Sequence, residues 1–226
     1  MGLFSFVKEA GRRLGIFGDR AADEVEEAKA AAAAAEGAEA VAADIKAAIL
    51  SYVEAAKLGV HFDPESSTVT LNGQMESQAD AERAVLIAGN TEGVGSVEDQ
   101  IVIKAPAPPA VHHTVVSGDS LSELSKSYYG VIHLYDAIFE ANQPMLADPD
   151  EIYPGQVLRI PPVRPPVHTV EKGETLGTIA DHWYGDAKRY TTIYEANQDK
   201  LSSPDEIEIG QQLKIPLVDP KVAPLA

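Results

Sequence analysis

Apolar residues recur at helical spacing at the start of the chain, where Leu3, Phe6, Val7, Ala10 and Leu14 draw one stripe over residues 2–17. The pattern predicts a short amphipathic helix within residues 1–18, weakened by Gly11 and Gly15 and docked on the domain that follows. Residues 19–39 are rich in alanine and glutamate, with Val25 as their one large apolar anchor, and read as an exposed helical or partly disordered connector. From residue 40 to 104 the pattern becomes globular. Val41, Ile45, Ile49 and Val53 mark a helix with one apolar face. After Val60-His61-Phe62 and a turn at Asp63–Ser67, Thr68-Val69-Thr70-Leu71 alternates as a strand that ends at Asn72-Gly73. Ala79–Ala88 reads as a second helix, and Val94, Val97, Ile101 and Ile103 as a closing strand.

Beyond a stiff linker at 105–111, Ala105-Pro106-Ala107-Pro108-Pro109-Ala110 and one residue more, the same pattern is written twice. His113–Pro161 aligns without a gap on His168–Pro216, at an offset of 55 residues, with 23 of 49 positions identical. A fixed period means one small structural unit used twice. Each unit opens with a strand and a Gly turn. Ser120 or Thr175 then sits where a helix N-cap belongs, and Glu123, three residues after Ser120, suggests a capping box. The first helix places Leu121, Leu124 and Tyr128 inward, or Leu176, Ile179 and Trp183, and stops at Gly130 or Gly185. A second helix puts Tyr135, Ile138 and Phe139 inward, or Tyr190, Ile193 and Tyr194, and leads to a final strand. The unit is βααβ. The repeats occupy 112–162 and 163–217, with a tail at 218–226.

Charge and composition narrow the chemistry. A net charge of −17 repels phosphate backbones, so nucleic acid is excluded as a natural partner. With no cysteine there is no disulfide, thiolate metal site or cysteine nucleophile. No apolar run is long enough for a transmembrane segment. The opening residues lack a basic leader and an unbroken apolar stretch, so the expected location is cytoplasmic. No phosphate-cradling glycine loop, HExxH pair or Gly-x-Ser-x-Gly elbow is present, and the expectation is a protein that is not an enzyme. His112-His113 offers two adjacent ring donors without a third ligand, so the histidines are given a structural role.

Several phrases carry family resemblances. Val69-Thr70-Leu71-Asn72-Gly73 and Gly93-Val94-Gly95-Ser96-Val97-Glu98-Asp99, in an α, β, α, β succession, resemble a BON domain. Val-x-x-Gly-Asp-Ser-Leu at 115–121, Val-x-x-Gly-Glu-Thr-Leu at 170–176, and the phrases Ile-x-Glu-Ala-Asn and Ile-x-x-Gly-Gln-x-Leu-x-Ile-Pro in both copies look like LysM domains. The fold expected is therefore α+β: an N-terminal helix, a BON domain with helices on a small sheet, and two tandem βααβ LysM domains. The opening Met1–Gly11 and the wording of the first copy resemble the bacterial potassium-binding BON–LysM family, which carries one LysM domain. The second LysM and the long alanine-rich connector depart from that pattern.

Three functions are expected, the first two of them implied by the resemblance. The first is potassium binding and sensing, with K⁺ altering how the BON and LysM domains pack. Such an ion is held by a cage of oxygen dipoles, often backbone carbonyls. Carbonyls freed where the N-terminal helix ends point to Val7, Ala10 and Gly11. The second is binding of N-acetylglucosamine glycans such as peptidoglycan. Carried over by motif, its residues are Gly118, Asp119, Ser120, Leu121, Asn142 and Ile152, and in the second copy Gly173, Glu174, Thr175, Leu176, Asn197 and Ile207. Caps, turns and core account for several of these equally well. The third is a structural adaptor that docks protein partners through the tandem repeats.

Overall fold

The computed structural model describes residues 2–5, 23–55, 57–143 and 145–225, with residues 2–5 and 23–36 as backbone alone. The architecture is α+β. The chain divides into two compact units, one built mainly from residues up to Ala107 and one from Pro108 onward.

In the first unit, α1 (Asp23–Leu50) leads into a hairpin of β2 (Lys57–Asp63) and β3 (Thr68–Ser77). Helix α2 (Gln78–Asn90) then crosses to β4 (Ser96–Ala105), which pairs parallel with β3. The hairpin turn follows from its residues. The Asp63 carboxylate accepts the Glu65 N–H at 3.0 Å and the Ser66 hydroxyl at 2.6 Å, the local bonding that favours Asp in turns. Helix α2 starts at Ser77, whose Oγ accepts the Asp80 N–H at 3.1 Å. Its buried face, Ala81, Ala84, Val85 and Ala88, lies on the side where α2 packs on α1 and the sheet, and Ile45, Ile49, Val69, Leu71, Met75 and Val97 of those elements are buried as well.

Three expectations are corrected here. Residues 2–5 do not begin a helix. They form β1 (Gly2–Ser5), antiparallel to β4 with Gly2 opposite Asp99 and Ser5 opposite Ser96, in a sheet of order β1-β4-β3-β2. The free edge of β4 satisfies those backbone groups directly, which outweighs a weak helical stripe. The connector is not separate from the first BON helix, because α1 runs unbroken from Asp23 to Leu50. Asn72-Gly73 is not a turn either, since β3 passes through both. Gly73 has φ +130°, and a Cβ there would lie 1.9 Å from the Lys57 carbonyl, so glycine is required by the closeness of β2.

The second unit holds both repeats. The first contains β5 (Val111–Thr114), α3 (Leu121–Tyr129), a 3-10 turn at Ile132–Leu134, α4 (Tyr135–Ala141) and β6 (Val157–Ile160). The second contains β7 (Val167–Thr169), α5 (Leu176–Tyr184), a 3-10 turn at Ala187–Arg189, α6 (Tyr190–Ala196) and β8 (Gln212–Lys214). Strand β5 pairs with β6, and β7 runs antiparallel to β8. The buried aromatics are one position later than the spacing suggests. Tyr129 and Tyr184 are 0% and 1% exposed, while Tyr128 and Trp183 are half-buried. Each inner tyrosine donates its hydroxyl to a carbonyl, Pro161 at 2.7 Å and Pro216 at 3.0 Å, which is what permits burial. Burial pushes the Tyr184 hydroxyl up to about 12. The reciprocal capping box also falls elsewhere than expected. Thr175 and Thr178 form it, whereas the Glu123 side chain meets only the Ser120 hydroxyl.

The two repeats share one hydrophobic core, and the tail joins it. Val222 is 2% exposed, and the N–H groups of Val218, Lys221 and Leu225 donate to the carbonyls of Tyr129, Tyr128 and Val163. The tail is thus a strap running from the second repeat over the first.

Two glycine substitutions separate these packing effects. Gly73→Ala lowers unfolding stability by about 1–3 kcal/mol through strain and collision. Gly37→Ala, on α1 with nothing near its Cβ, raises it by about 0.5–1 kcal/mol. Urea midpoints of the full chain give both signs.

Candidate functional site

The carbonyl ligands expected at the end of the N-terminal helix, Val7, Ala10 and Gly11, lie outside the described residues. Among the described residues, no three His, Asp or Glu side chains gather as a metal centre. Among them, too, no helix is long and apolar enough to cross a membrane.

The glycan candidates separate into two groups. Asn142 and Asn197 are fully buried and fully bonded. Asn142 donates its Nδ2 to the carbonyls of Ile138 at 2.6 Å and Arg159 at 2.8 Å, and its Oδ1 accepts the Arg159 N–H at 2.8 Å. Asn197 repeats this with Ile193 at 2.8 Å, Lys214 O at 2.9 Å and Lys214 N at 2.8 Å. Each amide ties the end of the second helix to the last strand, so neither is open to a sugar. Leu121 and Leu176 are 3% and 2% exposed and belong to the core. Gly118 and Gly173 supply φ of +97° and +90°, the left-handed turn before the N-cap.

In the second copy the remaining candidates meet at a groove. There Glu174, Thr175, Leu176 and Ile207 line a cavity of about 510 Å³. Gly177, Tyr190, Pro204 and Asp205 complete it. Motif carry-over does not reach these four. Helical spacing places Tyr190 inward as a core residue, yet it is 38% exposed. A signal is nonetheless present, because Pro204-Asp205 belongs to a phrase written in both copies, as does Tyr190 with Tyr135. A larger cavity of about 790 Å³ in the first unit, between α1 and β2 beside Ala42, Lys46, Val60 and Phe62, holds none of the candidates. The smaller groove is the better site. It gathers two carboxylates, a hydroxyl and an aromatic ring on one concave surface, the convergence of a few polar groups expected of a small-molecule site.

The loop that forms one wall is held by a histidine. In the first repeat His113 Nε2 meets Asp119 Oδ2 at 2.8 Å, the same oxygen accepts the Val116 N–H at 2.8 Å, and His113 Nδ1 meets the Tyr128 hydroxyl at 3.1 Å. In the second, His168 Nε2 meets Glu174 Oε2 at 2.8 Å, Glu171 N–H donates to that oxygen at 2.6 Å, and Trp183 Nε1–H donates to His168 Nδ1 at 3.3 Å. The bond from His113, with that from Val116, holds the Asp119 carboxyl below the usual carboxylate range. Burial pushes Glu174 up, but the bonds from Glu171 and His168 outweigh it and the net direction is down.

Comparison with known proteins gives this geometry a lineage. Residues 37–105 match the BON domain family, and residues 113–161 and 168–216 each match the LysM domain family. The potassium binding protein Kbp of Escherichia coli O6:H1 is 40% identical over 161 residues, which cover 71% of this chain and 99% of that protein. The chain belongs to the Kbp family. Within that family this member carries LysM in tandem. Esterase MT1326 of Mycobacterium tuberculosis is 38% identical over 104 residues, covering 46% of this chain and 22% of the esterase. The spore cortex-lytic enzyme SleL of Bacillus megaterium QM B1551 aligns at 26% identity with a TM-score of 0.21, over 50% of this chain and 24% of that one.

Two outcomes test the roles assigned here. Asn142→Ala and Asn197→Ala each lower unfolding stability, by about 1–3 kcal/mol for each buried group left unsatisfied, seen as a fall in urea midpoint. Because the folded-state pKa of Asp119 is depressed, its contribution is present above the unfolded carboxylate value of about 4 and is lost as pH falls through the lower folded value. Thermal melts between about pH 6 and pH 2 therefore show a fall in Tm below about pH 4 that is smaller in Asp119→Asn.

Proposed function

We propose that this protein is a cytoplasmic, non-enzymatic potassium-binding protein, in which K⁺ favours one packing of the BON domain with the LysM region over others. The observation that carries this reading is the 40% identity to Kbp across 99% of that protein's length. Physical chemistry is compatible with it. A chain of net charge −17 concentrates cations around itself, and selectivity for a weakly hydrated ion then requires only a cage of oxygen dipoles. The ion shifts packing only as far as it binds one arrangement better than another. BON and LysM are binding modules, which agrees with a ligand-responsive protein better than with a catalyst.

A second reading has its own observation. The groove of the second repeat, about 510 Å³ with Glu174, Thr175, Tyr190 and Asp205 around it, has the size and mixed lining of a saccharide site. On this reading the LysM domains bind an N-acetylglucosamine oligomer, and tandem modules that both engage one polymer gain avidity.

Melting in K⁺ against Na⁺ at matched ionic strength tests the first reading. At a K⁺ concentration about a hundredfold above Kd, the ion stabilises the folded state by about 2.7 kcal/mol, which raises Tm by about 5–10 °C for a chain of this size. Equal melting in the two salts rejects potassium specificity. Retention of the chain on insoluble chitin, released by free oligomer, tests the second.

A further inference from the structure

The matching loops of the two repeats are held by equivalent histidines, His113 and His168, through different aromatic partners, and the difference is one of proton chemistry. A tyrosine hydroxyl donates or accepts, whereas an indole N–H only donates. In the first repeat Tyr128 faces His113 Nδ1 at 3.1 Å and Asp119 faces Nε2 at 2.8 Å. Both partners can accept. A doubly protonated His113 keeps both bonds, one of them to a carboxylate. In the second repeat the Trp183 N–H points at His168 Nδ1, so that nitrogen has to carry a lone pair. The ring proton then sits on Nε2 and is donated to Glu174. A proton added to Nδ1 sets donor against donor.

We propose that His113 and His168 are the positioning residues of the first loop of each LysM repeat, and that acid disturbs the loop and groove of the second repeat while sparing the loop of the first, because the Trp183 N–H aimed at His168 Nδ1 selects the Nε2–H tautomer and leaves a proton on Nδ1 without an acceptor. The consequence for ligand rests on the glycan reading above; the proton chemistry does not. Glu174, which His168 holds, is itself a wall of the cavity, so loss of the Trp183 bond reaches the site through one side chain.

The charged and titratable neighbours sharpen the contrast. His168 faces Glu174, and the His182 ring of α5 lies 6.5 Å from it. His182 in turn stacks at 4.1 Å on His133, whose pKa is held down by burial and by His182 itself, with Asp136 acting in the opposite sense. His113 faces Asp119 and Tyr128, and the Lys221 ammonium of the tail lies 5.4 Å from the centre of the Tyr128 ring. Both loop carboxylates, with lowered pKa, remain ionised across the histidine range.

The test uses the full chain with ¹⁵N-labelled histidine, followed by NMR from about pH 8 to pH 5. At the upper end His168 shows the Nε2–H tautomer. On acidification, the Trp183 indole signal, from the single tryptophan of the chain, and the Gly173 amide move together, while the Gly118 amide stays at its high-pH position. Chitotetraose affinity read at Gly173 falls about fivefold, the size of one net hydrogen bond, and affinity read at Gly118 does not. Trp183→Tyr, which gives the second repeat the partner of the first, removes the pH dependence at Gly173. An Nδ1–H tautomer at high pH, or a Trp183→Tyr chain with undiminished pH dependence of the Gly173 amide, overturns the proposal. If chitotetraose moves neither glycine, the glycan reading fails, and the ring nitrogens, the indole and the Gly173 amide still decide whether His168 is confined to its neutral form.

Discussion

A LysM repeat of 49 residues has little core to spend on holding its ends together, and one buried amide does that task in each copy. Asn142 and Asn197 each accept one strand N–H and donate to a strand carbonyl and a helix carbonyl, so helix end and last strand are bonded through a single side chain. The amide alone offers two donors and an acceptor in one plane, and only in that arrangement is its burial tolerable. With the strand fixed, the inner tyrosines find the Pro161 and Pro216 carbonyls, and the loops on either side of the groove are set at their separation. The groove is a consequence of this closure.

The repeats are equivalent in scaffold and unequal at the surface. Turn glycines, caps, buried tyrosines and asparagines recur position by position. The residues around the histidines do not, and the tail straps the first copy. Gly130 shows how closely it is strapped, since a Cβ there would lie 2.2 Å from the Val218 carbonyl. Duplication supplied two copies of a fold, and the divergence lies in the side chains that a fold does not need.

Much of the fold is legible in the sequence because it is local. Period, caps and left-handed glycines place the four LysM helices, and alternation places β3 and much of β4. The failures share a cause. Gly2–Ser5 takes its conformation from the distant strand β4, and Gly73 takes its from β2. No window of sequence contains those partners. The asparagines mislead differently. A repeated polar residue in a ligand motif reads as a contact, and only its burial reveals that its bonds are already used.

What the sequence alone determined is the identity and number of the modules, because a repeated phrase and a capped apolar period are local properties of the chain. It also determined that the two copies differ at Tyr128 and Trp183. The tertiary structure decided which conspicuous residues are available to a ligand. Asn142, Asn197 and Leu121 were withdrawn into the core, while Tyr190 and Asp205 were brought to the groove. It also turned a tyrosine-to-tryptophan difference into a statement about a proton, because a hydrogen bond's direction has meaning only once the imidazole stands opposite it.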